Sequence, residues 1–236
     1  TKIVATLGPA TDDPAVLERL LLTGVNVVRL NFSHGTAADQ ARRAAQVREI
    51  AARQDLNIAI LADLQGPKIR IGKFGEGKVM LRKDDTFILD AKRTELGDEQ
   101  CVGIDCKTLP QDCRRGDILL LNDGHIELEV LAINGARVET RVLIGGPLSN
   151  HKGINKKGGG LSAPALTEKD HQDIRSAAEI NVDYVAVSFP KHAADMQLAR
   201  KLLQEAGSHA RLVAKIERAE AIATPEVLDA LILASD

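Results

Sequence analysis

The sequence predicts an α/β fold: a TIM-type (β/α)8 barrel, incomplete, of about six βα units, with a small antiparallel β-barrel domain inserted after the third strand. Three observations predict it. Short β-branched runs alternate with helical stretches from Thr1 to about Gly66, as in βαβ units with a parallel sheet. The grammar then changes to short strands broken by polar turns and reverts near Pro164. The apolar runs end in polar residues, the pattern expected where a barrel gathers its functional side chains at the C-terminal ends of its strands.

The first segment reads as strand KIVATLGPA, helix Pro14 to Leu22, strand VNVVRLNFSHG, a long Ala/Arg/Gln helix, then strand IAILADLQG. Asp12 or Asp13 before Pro14 suits a helix start, because a carboxylate caps free N–H groups and proline fits the first turn. Between about Lys78 and Gly146, Asn122-Asp123-Gly124 and Asn134-Gly135 mark hairpins between alternating strands. From Leu166, Thr167 with Asp170 resembles a capping box for a helix over Glu168 to Glu179. Strand VDYVAVSFP, a helix from Ala193 to Ala206, strand RLVAKIE, a helix around Glu220 to Ala230 and a sixth strand in LILASD follow. The expected domains are 1–66 (barrel, first part), 67–164 (inserted β domain) and 165–236 (barrel, second part). An open doubly wound sheet is the other arrangement, but no G-x-G-x-x-G follows the first strand.

Composition narrows the function. The 236 residues carry 31 basic and 33 acidic side chains, a net charge of −2, so no global field gathers nucleic acid or an anionic membrane. Five aromatic residues, Phe32, Phe74, Phe87, Tyr184 and Phe189, are too scattered to stack bases. No nucleic-acid or membrane partner is expected. Cys101, Cys106 and Cys113 lack zinc-knuckle spacing and read as free thiols of a reducing cytoplasm. No apolar run is long enough to span a bilayer, and no leader pattern precedes Thr1. The ending at Ala234-Ser235-Asp236, after an apolar run, suggests a fragment.

Strand ends supply the candidate chemistry. Arg29, Asn31 and Ser33 share one face by the period of two, and such a trio holds a phosphate or, through its oxygens, a cation; helix capping by Asn31 and Ser33 is the other reading. Asp63 closes the third strand and can share that cation. Lys68 and Arg70 just beyond it suit phosphate, or are simply solvated. Lys215 and Glu217 lie together at a later strand tip, either as an ion pair or as a cation aimed at developing negative charge beside a Mg²⁺ ligand. The basic, glycine-rich stretch with Lys152, Asn155, Lys156 and Lys157 is a phosphate loop or a hinge. His34 alone among six histidines sits at a strand tip.

Taken in order, KIVATLGPA, VVRLNFSHG, ADLQGPKIR, KGINKKGGGLSAPALTEKD, VAVSFP, VAKIERAEA and LILASD resemble the pyruvate kinase family, bacterial type, over essentially the whole chain. The resemblance implies phosphoryl transfer from phosphoenolpyruvate to ADP, giving pyruvate and ATP in glycolysis, with the inserted domain a lid over the active site. It implies catalytic roles for Lys215 and Arg29 and phosphate contacts at Arg29, Lys68, Arg70 and Lys215. It places nucleotide contacts at His34, Lys152 and Asn155, and Mg²⁺ or Mn²⁺ on Glu217. Asn31, Ser33, Asp63 and the Leu64 carbonyl, where many members carry Thr, match a monovalent-cation site. Lys68 stands where K⁺-requiring members have Glu, so K⁺ is expected to be dispensable. The parent protein is expected to be a cytoplasmic homotetramer. A second Mg²⁺ carboxylate would lie beyond Asp236, so this chain by itself is expected to be inactive or nearly so. The alternative is a non-catalytic nucleotide- or phosphate-binding fragment.

Overall fold

The computed structural model describes residues 1–236, which divide into two compact units: Thr1–Pro67 with Pro164–Asp236, and Lys68–Ala163. Each has its own apolar core. No helix is long and apolar enough to cross a membrane.

The first unit is α/β. Strands β1 (Val4–Leu7), β2 (Val27–Asn31) and β3 (Ala59–Asp63) alternate with helices α1 (Pro14–Leu22) and α2 (Ala37–Arg53). Neighbouring strands pair in parallel, with Thr6 beside Arg29 and Asn31 beside Asp63. That register sets polar residues of three strands at one end of the sheet. Helix α1 starts where Pro14 needs no N–H partner and the Asp13 carboxylate accepts from Ala15 and Val16 N–H, a cap of about 1 kcal/mol. Asp12 instead takes a bidentate pair with Arg43 of α2, at 2.7 and 3.0 Å. Helix α2 opens on a Thr36–Asp39 capping box, and Leu17, Leu21, Val47 and Ile50 face the core.

The second unit is built on β4 (Lys78–Leu81), β5 (Thr86–Asp90), β6 (Cys101–Gly103), a single helical turn α3 (Leu109–Asp112), β7 (Ile118–Leu121), β8 (Ile126–Asn134), β9 (Arg137–Ile144), β10 (Gly146–Ser149) and β11 (Ile154–Lys156). Six strands form a sheet in the order β11-β7-β8-β9-β5-β6, and β4 pairs with β10. Their alternating buried and exposed residues supply a core around Phe87, Leu119, Leu128 and Val142. Asn122 and Asp123 adopt left-handed φ in the β7–β8 turn, and Asn134-Gly135 begins the β8–β9 turn. One pair departs from the antiparallel expectation: β5 and β6 run parallel, because the chain crosses back over residues 91–100 before pairing.

The chain re-enters the first unit through α4 (Glu168–Glu179), β12 (Tyr184–Val187), α5 (Ala193–Glu205), β13 (Arg211–Ala214) and α6 (Pro225–Leu233). The Thr167–Asp170 capping box forms at the start of α4. The parallel sheet is then β1-β2-β3-β12-β13, five strands rather than six. The residues read as a sixth strand, LILASD, are the last turn of α6 and its C-cap. The apolar run misled because a strand and a buried helix look alike over six residues. Leu231 is fully buried while Leu233 is 85% exposed, and Val227 and Leu228 complete a helical rather than an alternating face. The expected helix over 220–230 likewise splits into a 3-10 turn, Ala219–Ile222, and α6, which restarts at Pro225 behind the Thr224 cap. The first unit is therefore five βα units of an incomplete barrel.

Candidate functional site

Asp63, the last residue of β3, is the hub of a charged array at the C-terminal ends of the strands. Its side chain is 4% exposed, yet it faces two cations. Its Oδ2 accepts from Arg29 Nε at 2.7 Å and lies 2.5 Å from Nη2, while Oδ1 stands 3.2 Å from Lys215 Nζ. Burying a carboxylate this deep is costly unless it is paired, and two cations supply that pairing. Arg29 also donates from Nη1 to Thr6 Oγ1 of β1 at 3.1 Å. A guanidinium has five N–H donors, so this geometry leaves Arg29 two for a ligand.

Lys215, just past β13, has three oxygen partners: Asp63 Oδ1, Ser188 Oγ at 2.9 Å and Glu217 Oε1 at 3.2 Å. Ser188 in turn donates to the Leu64 carbonyl at 2.6 Å. Glu217 Oε2 accepts the Phe189 N–H at 3.3 Å, and the Arg218 guanidinium lies over the Phe189 ring. Phe189 has φ +59°, an unfavourable conformation for a bulky residue, held here at a strand tip. Opposite it, Gly66 has φ +63°, and a Cβ there would lie 3.0 Å from Phe189, Ser188 Cβ and Ser188 O. Gly66 N–H donates to the fully buried Asp170, so the α4 cap and the strand tips are tied together.

The structure thus brings Arg29, Asp63, Lys215 and Glu217 together from three strands. It does not extend the β2 face to Ser33: the strand ends at Asn31, whose Oδ1 accepts the Ser33 N–H at 3.0 Å in an Asx turn. The turn chemistry of Asn and Ser overrides the period of two. The oxygens expected to share a monovalent cation already accept from the chain's own donors, Asn31 from Ser33, Asp63 from Arg29 and Leu64 from Ser188. His34 sits in the turn after β2 with its imidazole exposed. Lys68, Arg70, Lys152 and Asn155 belong to the β unit. There Arg70 Nη1 donates to the His151 carbonyl at 2.8 Å, and the Lys68 and Lys152 ammonium groups have no partner. Within the glycine-rich stretch, Lys156 is structural: it bonds the Asp112 carbonyl and pairs with Asp117 at 2.8 Å.

For a divalent cation these residues offer one carboxylate, Glu217. No three His, Cys, Asp or Glu side chains converge to hold a metal ion, and the Glu217 oxygens face Lys215 and the Phe189 N–H. Cys101, Cys106 and Cys113 are free thiols. Burial pushes the Cys113 thiol up to about 11.

Sequence reasoning missed Ser188 and Thr6. Both were within reach of the rule that found Asp63: Ser188 is the first residue beyond a strand, and Thr6 lies beside Arg29 in register.

The sequence matches the family model of the pyruvate kinase barrel domain over residues 1–236. It is 57% identical over 237 residues to the pyruvate kinase of Haemophilus influenzae, covering all of this chain and 50% of that protein. It is equally 57% identical to pyruvate kinase II of Salmonella typhimurium, over 49% of that protein, and 40% identical to the pyruvate kinase of Corynebacterium efficiens. The chain spans about half the length of the curated relatives it matches. The five-stranded parallel sheet, the insertion after β3 and these matches together show that the chain belongs to the pyruvate kinase family.

Proposed function

We propose that these residues carry the phosphoryl-transfer end of a glycolytic pyruvate kinase, a cytoplasmic phosphotransferase that takes the phosphoryl group of phosphoenolpyruvate to ADP and protonates the resulting enol to pyruvate. The observation that supports it most is the array Arg29–Asp63–Lys215–Glu217 at the strand tips. Phosphoryl transfer needs positioning and charge neutralisation more than covalent chemistry. Asp63 fixes both cations before substrate arrives, so little reorganisation remains when charge develops. Arg29 keeps two donors for the phosphoryl oxygens. Lys215 has all three of its donors occupied, so substrate has to displace a partner. Glu217, 34% exposed against 4% for Asp63, is the one that yields most cheaply, leaving Lys215 directed at the transferring group and the enolate oxygen.

Glu217 supplies one carboxylate toward Mg²⁺ or Mn²⁺, which would neutralise phosphate charge. Lys68 and Arg70 are further phosphate contacts, and His34, Lys152 and Asn155 are nucleotide contacts from their respective units. Asn31, Ser33, Asp63 and the Leu64 carbonyl match the family's monovalent-cation site, and Lys68, in place of the Glu of K⁺-requiring members, is the basis for expecting that ion to be dispensable. The whole protein is then a homotetramer that works without added K⁺.

Lactate-dehydrogenase-coupled turnover in K⁺-free buffer tests this. Activity there, lost in Lys215→Met, supports the reading. A rise of about a hundredfold on adding K⁺ overturns the role given to Lys68. The second reading, phosphate binding without turnover, is favoured by Glu217 being the one carboxylate assigned here to a divalent cation. Calorimetric binding of ADP with no pyruvate formed selects it.

A further inference from the structure

The β unit contains a cavity of about 370 Å³, within the size range of small-ligand sites, that the strand-tip array does not use. We propose that it is an anion site for a phosphate monoester, held by Arg70, Lys73, Arg93 and His151.

Three separate segments carry these side chains, and main-chain bonds lock the segments to one another. Gly72 N–H donates to Gly103 O at 2.7 Å, His151 N–H to Gly72 O at 3.2 Å, and Gly97 N–H to Lys73 O at 2.7 Å. Arg70 N–H donates to Asp105 Oδ1, and Asp105 N–H returns to Arg70 O. Gly103 allows the close approach: a Cβ there would sit 2.4 Å from the Arg93 carbonyl. The walls are therefore set before any ligand arrives.

The charges inside are largely uncommitted. Neither the Lys73 ammonium nor the His151 imidazole has a hydrogen-bond or ion-pair partner, and Arg70 spends one donor, on the His151 carbonyl. Arg93 is anchored from one end, by Leu96 O at 2.6 Å and Asp98 at 3.2 Å. Against the three formal cations Arg70, Lys73 and Arg93 stand Glu95 and Asp105, leaving one net positive charge. Cations from two segments, with the His151 imidazole from a third on the same lining, suit a tetrahedral anion. Leu96, 56% exposed on the same wall, and the Thr94 hydroxyl suit a short organic tail.

Arg70 is also a proposed contact for substrate phosphate, and in this respect alone the inference rests on that reading. An anion in the cavity holds the guanidinium on the β unit, so occupancy raises the apparent KM for phosphoenolpyruvate with little change in kcat.

Low-affinity calorimetric titration of the complete protein with glycerol 3-phosphate tests the site. Saturable millimolar binding is expected, retained in Arg29→Gln and weakened about tenfold or more in Lys73→Glu, where a repulsive charge replaces an attractive one. Lys73→Gln should fall between, and unchanged thermal melting of both Lys73 variants shows that folding is intact. Loss of binding in Arg29→Gln with none in Lys73→Glu places the anion at the strand tips and overturns the proposal. So does the absence of saturable binding. Turnover is read separately, so an inactive protein that still binds the ester defeats the proposed function and leaves this site standing.

Discussion

The strand tips of the α/β unit and three lysines of the β unit treat charge in opposite ways. In the α/β unit Asp63 is nearly inaccessible and its partners Arg29 and Lys215 are held by five oxygens drawn from β1, β3 and the segments after β12 and β13. In the β unit Lys68, Lys73 and Lys152 have no partner at all. An engaged charge is part of the fold and its geometry is fixed in advance. A free charge costs nothing structurally and waits for a ligand. The same residue type, lysine, is a structural member in one place and an uncommitted donor in the other.

Substitution breaks the comparison most severely at its hub. Asp63→Ala leaves two cations facing an emptied, poorly hydrated position, and removing one partner of a buried pair costs about 3–5 kcal/mol. Lys73→Ala removes a charge that touches nothing and should stay within about 0.5 kcal/mol of the parent. Urea unfolding, read on the transition of each unit, compares them. Equal losses at the two sites would show that the hub is no more structural than the surface.

A smaller effect separates the packing around the two sets of turns. Gly66→Ala places a methyl 3.0 Å from Ser188 and Phe189 in a left-handed conformation, and about 1–3 kcal/mol is expected to be lost. Gly124→Ala in the β7–β8 turn has φ +87° but nothing within 4 Å of the added carbon, so backbone strain alone should remain, about 1 kcal/mol. Losses that coincide would mean that strain, not crowding at the strand tips, governs both.

What could be read from sequence follows the range of the interaction. Local signals were legible: the Asp13 and Thr167 caps and the Asn122-Asp123-Gly124 turn all rest on contacts within a few residues. The pairing of Arg29 and Lys215 on one carboxylate was not, because it depends on a register that puts Asn31 and Ala186 on either side of Asp63. Ser188 was hidden for the same reason. The sixth strand failed where an apolar stretch of six residues satisfies helix and strand equally. The parallel β5–β6 pair failed because nothing in residues 91–100 announces a crossover.

The finest distinction is that an engaged charge need not be a stabilising one. Asp173 on α4 lies 2.5 Å from Lys169 Nζ, which also donates to the Phe32 carbonyl. Even so, burial pushes the Asp173 carboxyl above its ordinary value of 3.8, outweighing the hydrogen bond and charge of Lys169. The folded protein therefore holds this proton more tightly than the unfolded chain. The stability that this proton confers is full below the unfolded value and is lost as pH rises through the folded one. Asp173→Asn mimics the protonated form at every pH and keeps an acceptor for Lys169. Its stability relative to the parent should thus improve between about pH 4 and pH 7, read as a growing shift in urea midpoint. If the shift is flat with pH, or turns against the variant at neutral pH, the ion pair outweighs burial and Asp173 belongs with Asp63 among the charges that hold the fold together.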